Sequence, residues 1–127
     1  MQERAQAGDA YGRLIATSSL ASLFGTARNE HYAATKAALN SLIRALAVEL
    51  ARYGITANAI LPGWIKSDMT DNLFGNEKFV ANVMPRIPVR RFGEPADFGG
   101  IAVYLASPAS AYHTGDCLLI DGGFSKF

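Results

Sequence analysis

The chain has 127 residues, of which 50% are hydrophobic, and this length and composition fit one globular domain. Twelve basic and eleven acidic residues are spread along it without a long run of either sign, so nothing indicates a nucleic-acid groove or an anionic membrane surface. Because no apolar run is long enough to span a bilayer and the first residues lack the apolar segment of a signal peptide, we expect a cytoplasmic protein.

The first predicted elements are the end of a helix and a buried strand. Residues 1–7 are typical of the last turns of a helix, which indicates that a segment upstream of this chain is missing. The apolar run 13–17 leads into Ser18 and Ser19, so we expect a strand with serines at its carboxyl end. A loop follows over residues 20–29.

An Ala-rich helix is the clearest element and is predicted over residues 30–53. Its apolar stripe, which recurs at helical spacing, consists of Leu39, Leu42, Ile43, Leu46, Leu50 and Tyr53. We expect Asn29 to be the N-cap and Gly54 to supply the left-handed position that ends the helix.

The remaining elements repeat the alternation of strand and helix. A second strand is predicted over 55–61, a helix around 78–84, a helix over 95–106 and a third strand over 117–120. Apolar strands that alternate with helices indicate right-handed crossovers. The fold class is therefore α/β, with a parallel sheet covered on both faces.

Three polar residues indicate a site for proton transfer. Tyr32 and Lys36 are four residues apart and share one face of the long helix, where we expect the ammonium to favour the phenolate form. Ser19, at a strand end, can polarise the oxygen that is being protonated. A Tyr/Lys pair alone is a weak signal, and a lone serine more often caps a turn. The case depends on their placement at strand ends, where ligands bind in open α/β sheets.

The sequence closely resembles the short-chain dehydrogenase/reductase family through motifs that follow one another in the family's order. The matching segments are Ser18-Ser19, YAATKAA at 32–38, NAILPGWI at 58–65, SDM at 67–69, GEP at 93–95, and TG through DGG at 114–123. They cover nearly all of the chain. The resemblance implies a partial Rossmann-like doubly wound parallel sheet that contains the last three strands and their helices.

The resemblance also implies an activity and three catalytic residues. Such enzymes transfer hydride between a nicotinamide cofactor and a ketone or secondary alcohol. Tyr32 would be the general acid in reduction and the base in oxidation. Lys36 would lower the pKa of Tyr32 and hydrogen-bond the nicotinamide ribose, and Ser19 would orient the substrate carbonyl.

The same resemblance implies the cofactor and the partners. NAD or NADP would bind through Tyr32 and Lys36, through Pro62 and Gly63 as the wall under the nicotinamide, and through the positions Ile65 and Ser67 near its carboxamide. No metal is expected. The partners would be a small-molecule carbonyl or alcohol substrate and further copies of the chain in a homodimer or homotetramer, with neither nucleic acid nor membrane.

One departure from the family pattern concerns the cofactor. The chain has no Gly-rich turn for the pyrophosphate, no residue that would choose between NAD and NADP, and no family asparagine on the preceding helix. We therefore expect residues 1–127 to be the C-terminal portion of a single Rossmann-type domain whose N-terminal cofactor-binding half is absent, and to be inactive alone. The alternative is a non-catalytic module that acts only in subunit association.

Several aromatic and apolar residues have two interpretations. Trp64 either lines the substrate pocket or only packs its loop. Phe74, Phe79 and Met84 fall where the family covers its substrate, so they form either an apolar lid or ordinary helix packing. His31 lies about 100° around the helix from the tyrosine and is interpreted as a surface or substrate-loop residue.

Overall fold

The computed structural model of the chain describes residues 1–126, which hold a three-stranded parallel sheet in the order β1-β2-β3. The helices and strands are α1 Gln2–Gln6, β1 Gly12–Thr17, α2 Glu30–Leu50, β2 Ile55–Pro62, α3 Asp71–Phe74, α4 Glu77–Val83, α5 Gly99–Ala106 and β3 Cys117–Ile120. Single turns of 3-10 helix occupy Leu20–Ser22, Ala51–Tyr53, Met84–Arg86, Pro95–Phe98, Pro108–Ser110 and Phe124–Lys126. The predicted α/β fold is confirmed.

The central strand β2 is buried along nearly its whole length. It pairs with β1 from Gly12 opposite Ile55 onwards, and with β3 from Cys117 opposite Ala59 onwards. Every residue from position 55 to position 61 is buried, including those that face away from α2. Successive residues of a strand point to opposite faces, so both faces of the sheet are covered at β2.

Two hydrophobic clusters organise the core. The sheet cluster joins α2 to the strands and contains Ile43, Ala47, Ala57, Ala59 and Leu61. The aromatic cluster holds the long segment after β2 and contains Leu20, Val83, Ile87, Phe92 and Phe124, with Trp64, Phe74 and Phe79 packed against it. The alanines of β2 let α2 approach the sheet closely, because a larger side chain there would have no space.

The structure corrects two details of the predicted helix. Asn29 occupies the N-cap position, but its side chain makes no capping hydrogen bond. Leu42 of the predicted apolar stripe is 53% exposed, because the face of α2 turned to the sheet carries Asn40 and Ile43 instead. Gly54 has a φ of 68°, which confirms the predicted left-handed end.

Among residues 1–126, no helix has both the length and the apolar character that crossing a membrane requires.

Candidate active site

Ser19 sits just beyond the end of β1 and begins a turn of 3-10 helix. The N–H of Ala21 donates to the Ser19 Oγ at 3.1 Å, so one lone pair of the hydroxyl is occupied. Within the described part of the chain, the Ser19 hydroxyl hydrogen has no acceptor. It is therefore free to donate to an oxygen of a bound molecule.

The backbone at Ser19 is held in place by two further side chains. The amide nitrogen of Asn40, which is only 4% exposed, donates to the Ser22 Oγ at 2.8 Å. The Ser22 Oγ in turn donates to the Ser19 carbonyl at 2.6 Å. This chain of hydrogen bonds ties the serine loop to α2. Asn40 was missed at the sequence level because nothing in its spacing distinguishes it from the other polar residues of the helix.

Tyr32 and Lys36 lie on the first two turns of α2, beside the end of β1. The Lys36 Nζ is 5.6 Å from the centre of the Tyr32 ring and donates to the Thr17 carbonyl at 2.9 Å. The Ser18 Oγ donates to the Lys36 carbonyl at 3.1 Å, so backbone and side chain of the lysine are both bonded to the strand end. These contacts fix the distance between the phenol and the serine loop.

Ser19 and Tyr32 line a common cleft with a volume of about 390 Å³. Its wall consists of Ser19, Leu20, Ala21, Thr26, Asn29, Tyr32, Gly63, Trp64, Met69, Thr70 and Leu73. None of these residues carries a charge. Lys36 is not among the residues that line this cleft.

The wall opposite Tyr32 begins where β2 ends. Gly63 follows Pro62, and its N–H donates to the Ile120 carbonyl at 2.9 Å. A Cβ at Gly63 would lie 2.6 Å from the Cα of Asp121, so only glycine fits this close approach of two backbones. Pro62 is half-buried and lies outside the cleft wall.

The Asp121 carboxylate stabilises the turn in which it lies. Its carboxylate accepts the N–H groups of Gly123 at 2.9 Å and Ser125 at 2.8 Å. Burial raises the pKa of Asp121, but these N–H groups outweigh it and the pKa is lowered overall. These contacts give the Asp121 side chain a structural role in the turn that follows β3.

Ile65 and Ser67 lie outside the cleft wall. Ile65 lines a neighbouring cavity of about 250 Å³, and its carbonyl accepts the Thr70 hydroxyl at 2.6 Å. The Ile65 N–H has no hydrogen-bond partner among residues 1–126 and is available to an external acceptor. Ser67 is exposed, and its Oγ is 3.1 Å from the Thr70 Oγ1.

An ion pair that the sequence did not reveal supports the Trp64 side of the cleft. Arg91 makes two hydrogen bonds of 2.7 Å to the carboxylate of Asp97, which also accepts the N–H of Glu94 at 2.8 Å. These bonds hold the pKa of Asp97 far below its usual range. The N–H of Gly93 then donates to the Trp64 carbonyl at 2.9 Å, which couples this ion pair to the cleft.

The comparisons with known proteins agree with this geometry. The sequence profile described as "Enoyl-(Acyl carrier protein) reductase" matches residues 1–125. The chain belongs to the short-chain dehydrogenase/reductase family.

Individual relatives of the family match along most of this chain. It is 43% identical over 112 residues to the L-rhamnose 1-dehydrogenase (NAD(P)(+)) of Azotobacter vinelandii, covering 88% of this chain and 44% of the relative. It is 41% identical to a 3-oxoacyl-[acyl-carrier-protein] reductase of Rickettsia felis, covering 89% and 46%. The chain therefore spans about half the length of the curated relatives it matches.

A solved structure of the family has the same fold. The gluconate 5-dehydrogenase of Burkholderia cenocepacia, in complex with NADP and tartrate, superposes with a TM-score of 0.91 at 31% identity. The match covers 98% of this chain and 49% of that one. The partial Rossmann-like sheet predicted from the sequence is confirmed.

In this short-chain dehydrogenase/reductase, Trp64 does more than pack its loop. It lines the cleft, and its ring packs edge-on against Phe79 at 5.1 Å and Phe124 at 6.2 Å between centroids. Phe74 and Phe79 pack within the aromatic cluster, so the interpretation as helix packing holds for them. The exposed large apolar side chains at the cleft are Met69 and Leu73 instead.

No group of three or more His, Cys, Asp or Glu side chains that could hold a metal ion occurs within residues 1–126.

Proposed function

We propose that residues 1–127 are the C-terminal portion of a single Rossmann-type domain of an NAD(P)-dependent oxidoreductase. The proposed reaction is hydride transfer between the nicotinamide cofactor and a ketone or secondary alcohol. The observation that carries the proposal is the cleft of about 390 Å³ into which Ser19 and Tyr32 both open. The family membership and the dehydrogenase and reductase activities named for the relatives support it.

In the proposed mechanism, Tyr32 transfers the proton. Its phenol hydroxyl gives a proton to the substrate oxygen in reduction and takes it back in oxidation. Ser19 donates its free hydroxyl hydrogen to the same oxygen, and this hydrogen bond strengthens as negative charge develops there. The hydrogen bond from Ala21 fixes the direction of that hydroxyl.

Lys36 acts through its position beside Tyr32. The ammonium is 5.6 Å from the phenol ring centre, where its charge favours negative charge on the phenol oxygen during proton transfer. One of its three N–H groups is bonded to the Thr17 carbonyl. The others remain available for a ribose hydroxyl.

The residues present fit the nicotinamide end of a cofactor. When bound, NAD or NADP would supply or accept the hydride. The unpartnered N–H of Ile65 fits the carboxamide oxygen, while Gly63 leaves room beside the ring and Pro62 supports that wall from β2. Ser67 would lie near the carboxamide, and Tyr32 and Lys36 would contact the ribose.

The pyrophosphate end has no candidate residues in this sequence. The 127 residues contain no Gly-rich turn that could bind it at a helix N-terminus. We therefore propose that the chain by itself neither binds the cofactor tightly nor turns over substrate. In a fluorescence titration of the isolated chain with NADH and NADPH, binding in the micromolar range would contradict this part of the proposal.

The catalytic assignment is tested by Tyr32→Phe in the full-length parent enzyme. Without the phenol proton, kcat is expected to fall by about a hundred- to ten-thousandfold, while the dissociation constant for NADPH changes little. Steady-state kinetics and cofactor fluorescence measure the two quantities. Tyr53→Phe is the matched control, since Tyr53 lies at the far end of α2 and outside the cleft. A Tyr32→Phe enzyme that keeps most of its turnover would refute the assignment.

Subunit association is a second candidate function, and the outer face of α2 favours it. Leu42 is 53% exposed and Val48 is 83% exposed, and the small residues Ser41 and Ala45 are exposed as well. We propose that this face joins copies of the cytoplasmic enzyme in a homodimer or homotetramer. Val48→Asp is then expected to shift the sedimentation coefficient toward that of a monomer. An unchanged coefficient would contradict the association.

A further inference from the structure

A second cavity, with a volume of about 260 Å³, adjoins the cleft that contains Ser19 and Tyr32. The two cavities share the residues Leu20, Thr26 and Trp64 in their walls. The two cavities therefore adjoin each other at these residues. We call it the Arg86 pocket, because Arg86 forms part of its far wall.

Arg86 is the one charged residue among those that line either cavity. It ends the turn Met84–Arg86, and its guanidinium carbon lies 4.3 Å above the centre of the Phe124 ring. Within residues 1–126, no carboxylate lies within ion-pair distance of it. Its charge is therefore uncompensated by the part of the chain that the structure describes.

Stacking on Phe124 prepares the guanidinium to bind an anion. A guanidinium whose face rests on an aromatic ring keeps its N–H groups in the plane, directed away from the ring. A guanidinium carries a fork of two parallel N–H donors, which matches the two oxygens of a carboxylate. The stacking also reduces the conformational entropy that the arginine loses when a ligand binds.

We propose that Arg86 binds the carboxylate of a monoanionic hydroxy or keto acid whose reacting carbon lies at Tyr32. This inference rests on the proposed function, and it adds the class of substrate. A single cation without a second basic residue fits one negative charge, whereas a phosphate dianion would call for further positive charge.

Two polar side chains of the cleft are suited to bind hydroxyl groups of a substrate that extends from Tyr32 to Arg86. Thr26 lies in both walls, and Asn29 lines the cleft with a side chain that makes no capping hydrogen bond. Their hydroxyl and amide groups are free to bind substrate hydroxyls. The proposed substrate is therefore a carboxylic acid that carries hydroxyl groups.

The test measures binding without turnover, using the full-length parent protein that carries Tyr32→Phe. Isothermal titration calorimetry with D-gluconate, D-sorbitol and D-sorbitol 6-phosphate compares a carboxylate, a neutral chain and a phosphate. We expect D-gluconate to bind at least about tenfold more tightly than D-sorbitol, because a charge-assisted bidentate contact is lost in the neutral compound. Equal binding of the two, no binding of D-gluconate, or tighter binding of the phosphate would overturn the proposal.

Substitution of the arginine locates the contact. Arg86→Gln is expected to weaken D-gluconate binding by about ten- to hundredfold and to leave D-sorbitol binding unchanged. Arg52→Gln is the matched control, since it removes one charge and one stacked guanidinium, 4.8 Å above Tyr53, outside both cavities. Unchanged D-gluconate binding in Arg86→Gln, or an equal loss in Arg52→Gln, would refute the assignment.

The result of these binding measurements does not depend on whether Tyr32 is the proton donor. Because the Tyr32→Phe protein does not need to turn over, a failure of Tyr32 as the proton donor leaves these dissociation constants unaffected. If Arg86→Gln does not fold, the ratio of D-gluconate to D-sorbitol affinity in the protein with Arg86 intact still decides the charge requirement. Circular dichroism of each variant identifies that case.

Discussion

The two sides of the cleft are held by different kinds of interaction. On the side of Ser19 and Tyr32, the functional groups sit at the ends of β1 and α2 and are fixed by short hydrogen bonds to the backbone. On the opposite side, Trp64 lies on an irregular segment, as does Arg86 of the adjoining pocket, and aromatic packing and one external ion pair hold this side in place.

This difference suits the two sides to different proposed tasks, proton transfer on the first and substrate recognition on the second. Proton transfer requires atoms placed within a few tenths of an ångström, which regular secondary structure provides. Substrate recognition tolerates more variation, and irregular segments accept substitutions without disturbing the sheet. We therefore expect changes on the first side to alter the rate, and changes on the second side to alter stability and substrate affinity.

The largest effect is expected in the aromatic cluster. Phe92 is 5% exposed, and its ring centre is 4.3 Å from that of Phe74. Phe92→Ala should therefore lower the free energy of unfolding by about 3–5 kcal/mol, through lost burial and the cavity that remains. Urea unfolding followed by the fluorescence of Trp64, the single tryptophan, measures it. Phe98→Ala, at a half-buried position outside the cluster, is the control, and an equal loss there would contradict the role of the cluster.

A smaller effect is expected under α2, where it tests which face of the helix is buried. Ile43 is 4% exposed and packs on the sheet, whereas the adjacent Leu42 is 53% exposed. Ile43→Val should cost about 0.5–1.5 kcal/mol of unfolding free energy, because one buried methylene is removed. Leu42→Val should stay within about 0.5 kcal/mol. Equal losses of unfolding free energy in Ile43→Val and Leu42→Val, measured in dilute solution, would contradict the burial of the Ile43 side of α2.

The smallest effect concerns the ion pair of Arg91 and Asp97 and depends on pH. The folded-state pKa of Asp97 lies below its unfolded value of about 3.9, so the pair stabilises the fold above that pH. The stabilisation is lost as the pH falls below about 4 toward the folded-state pKa. The difference in unfolding free energy between the unsubstituted protein and Asp97→Asn should thus shrink from pH 7 to pH 3. Asp68→Asn, at an exposed position, is the control, and a difference that stays constant with pH would contradict this account.

Much of the fold could be predicted from the sequence because regular elements carry periodic signals. The three strands, the long helix and the left-handed Gly54 all follow from local patterns, since apolar runs and helical spacing depend on neighbours in the chain. The face of α2 that is buried could not be predicted in the same way. Leu42 and Ile43 are equally apolar, so only contact with the small residues of β2 decides which one is buried.

Part of the candidate site could also be predicted from the sequence, because it depends on the same regular elements. Ser19 and Tyr32 stand at the ends of predicted elements, and their common cleft follows from the parallel sheet. Asn40 and Arg86 gave no signal, because their importance arises from contacts with Ser22 and Phe124 that are distant in sequence. The catalytic and cofactor-binding roles of the predicted residues stay predictions until the variants are measured.

The position of β2 has a consequence for how the molecule opens. Ala59 and Ile60 pair with both β1 and β3, and residues 55–61 of the strand are buried. Deuterium in the solvent can reach the amides of these residues only when the whole domain unfolds, whereas the short helices α3 and α4 can fray by themselves. The exchange rates along β2 would therefore report the global stability of the protein directly.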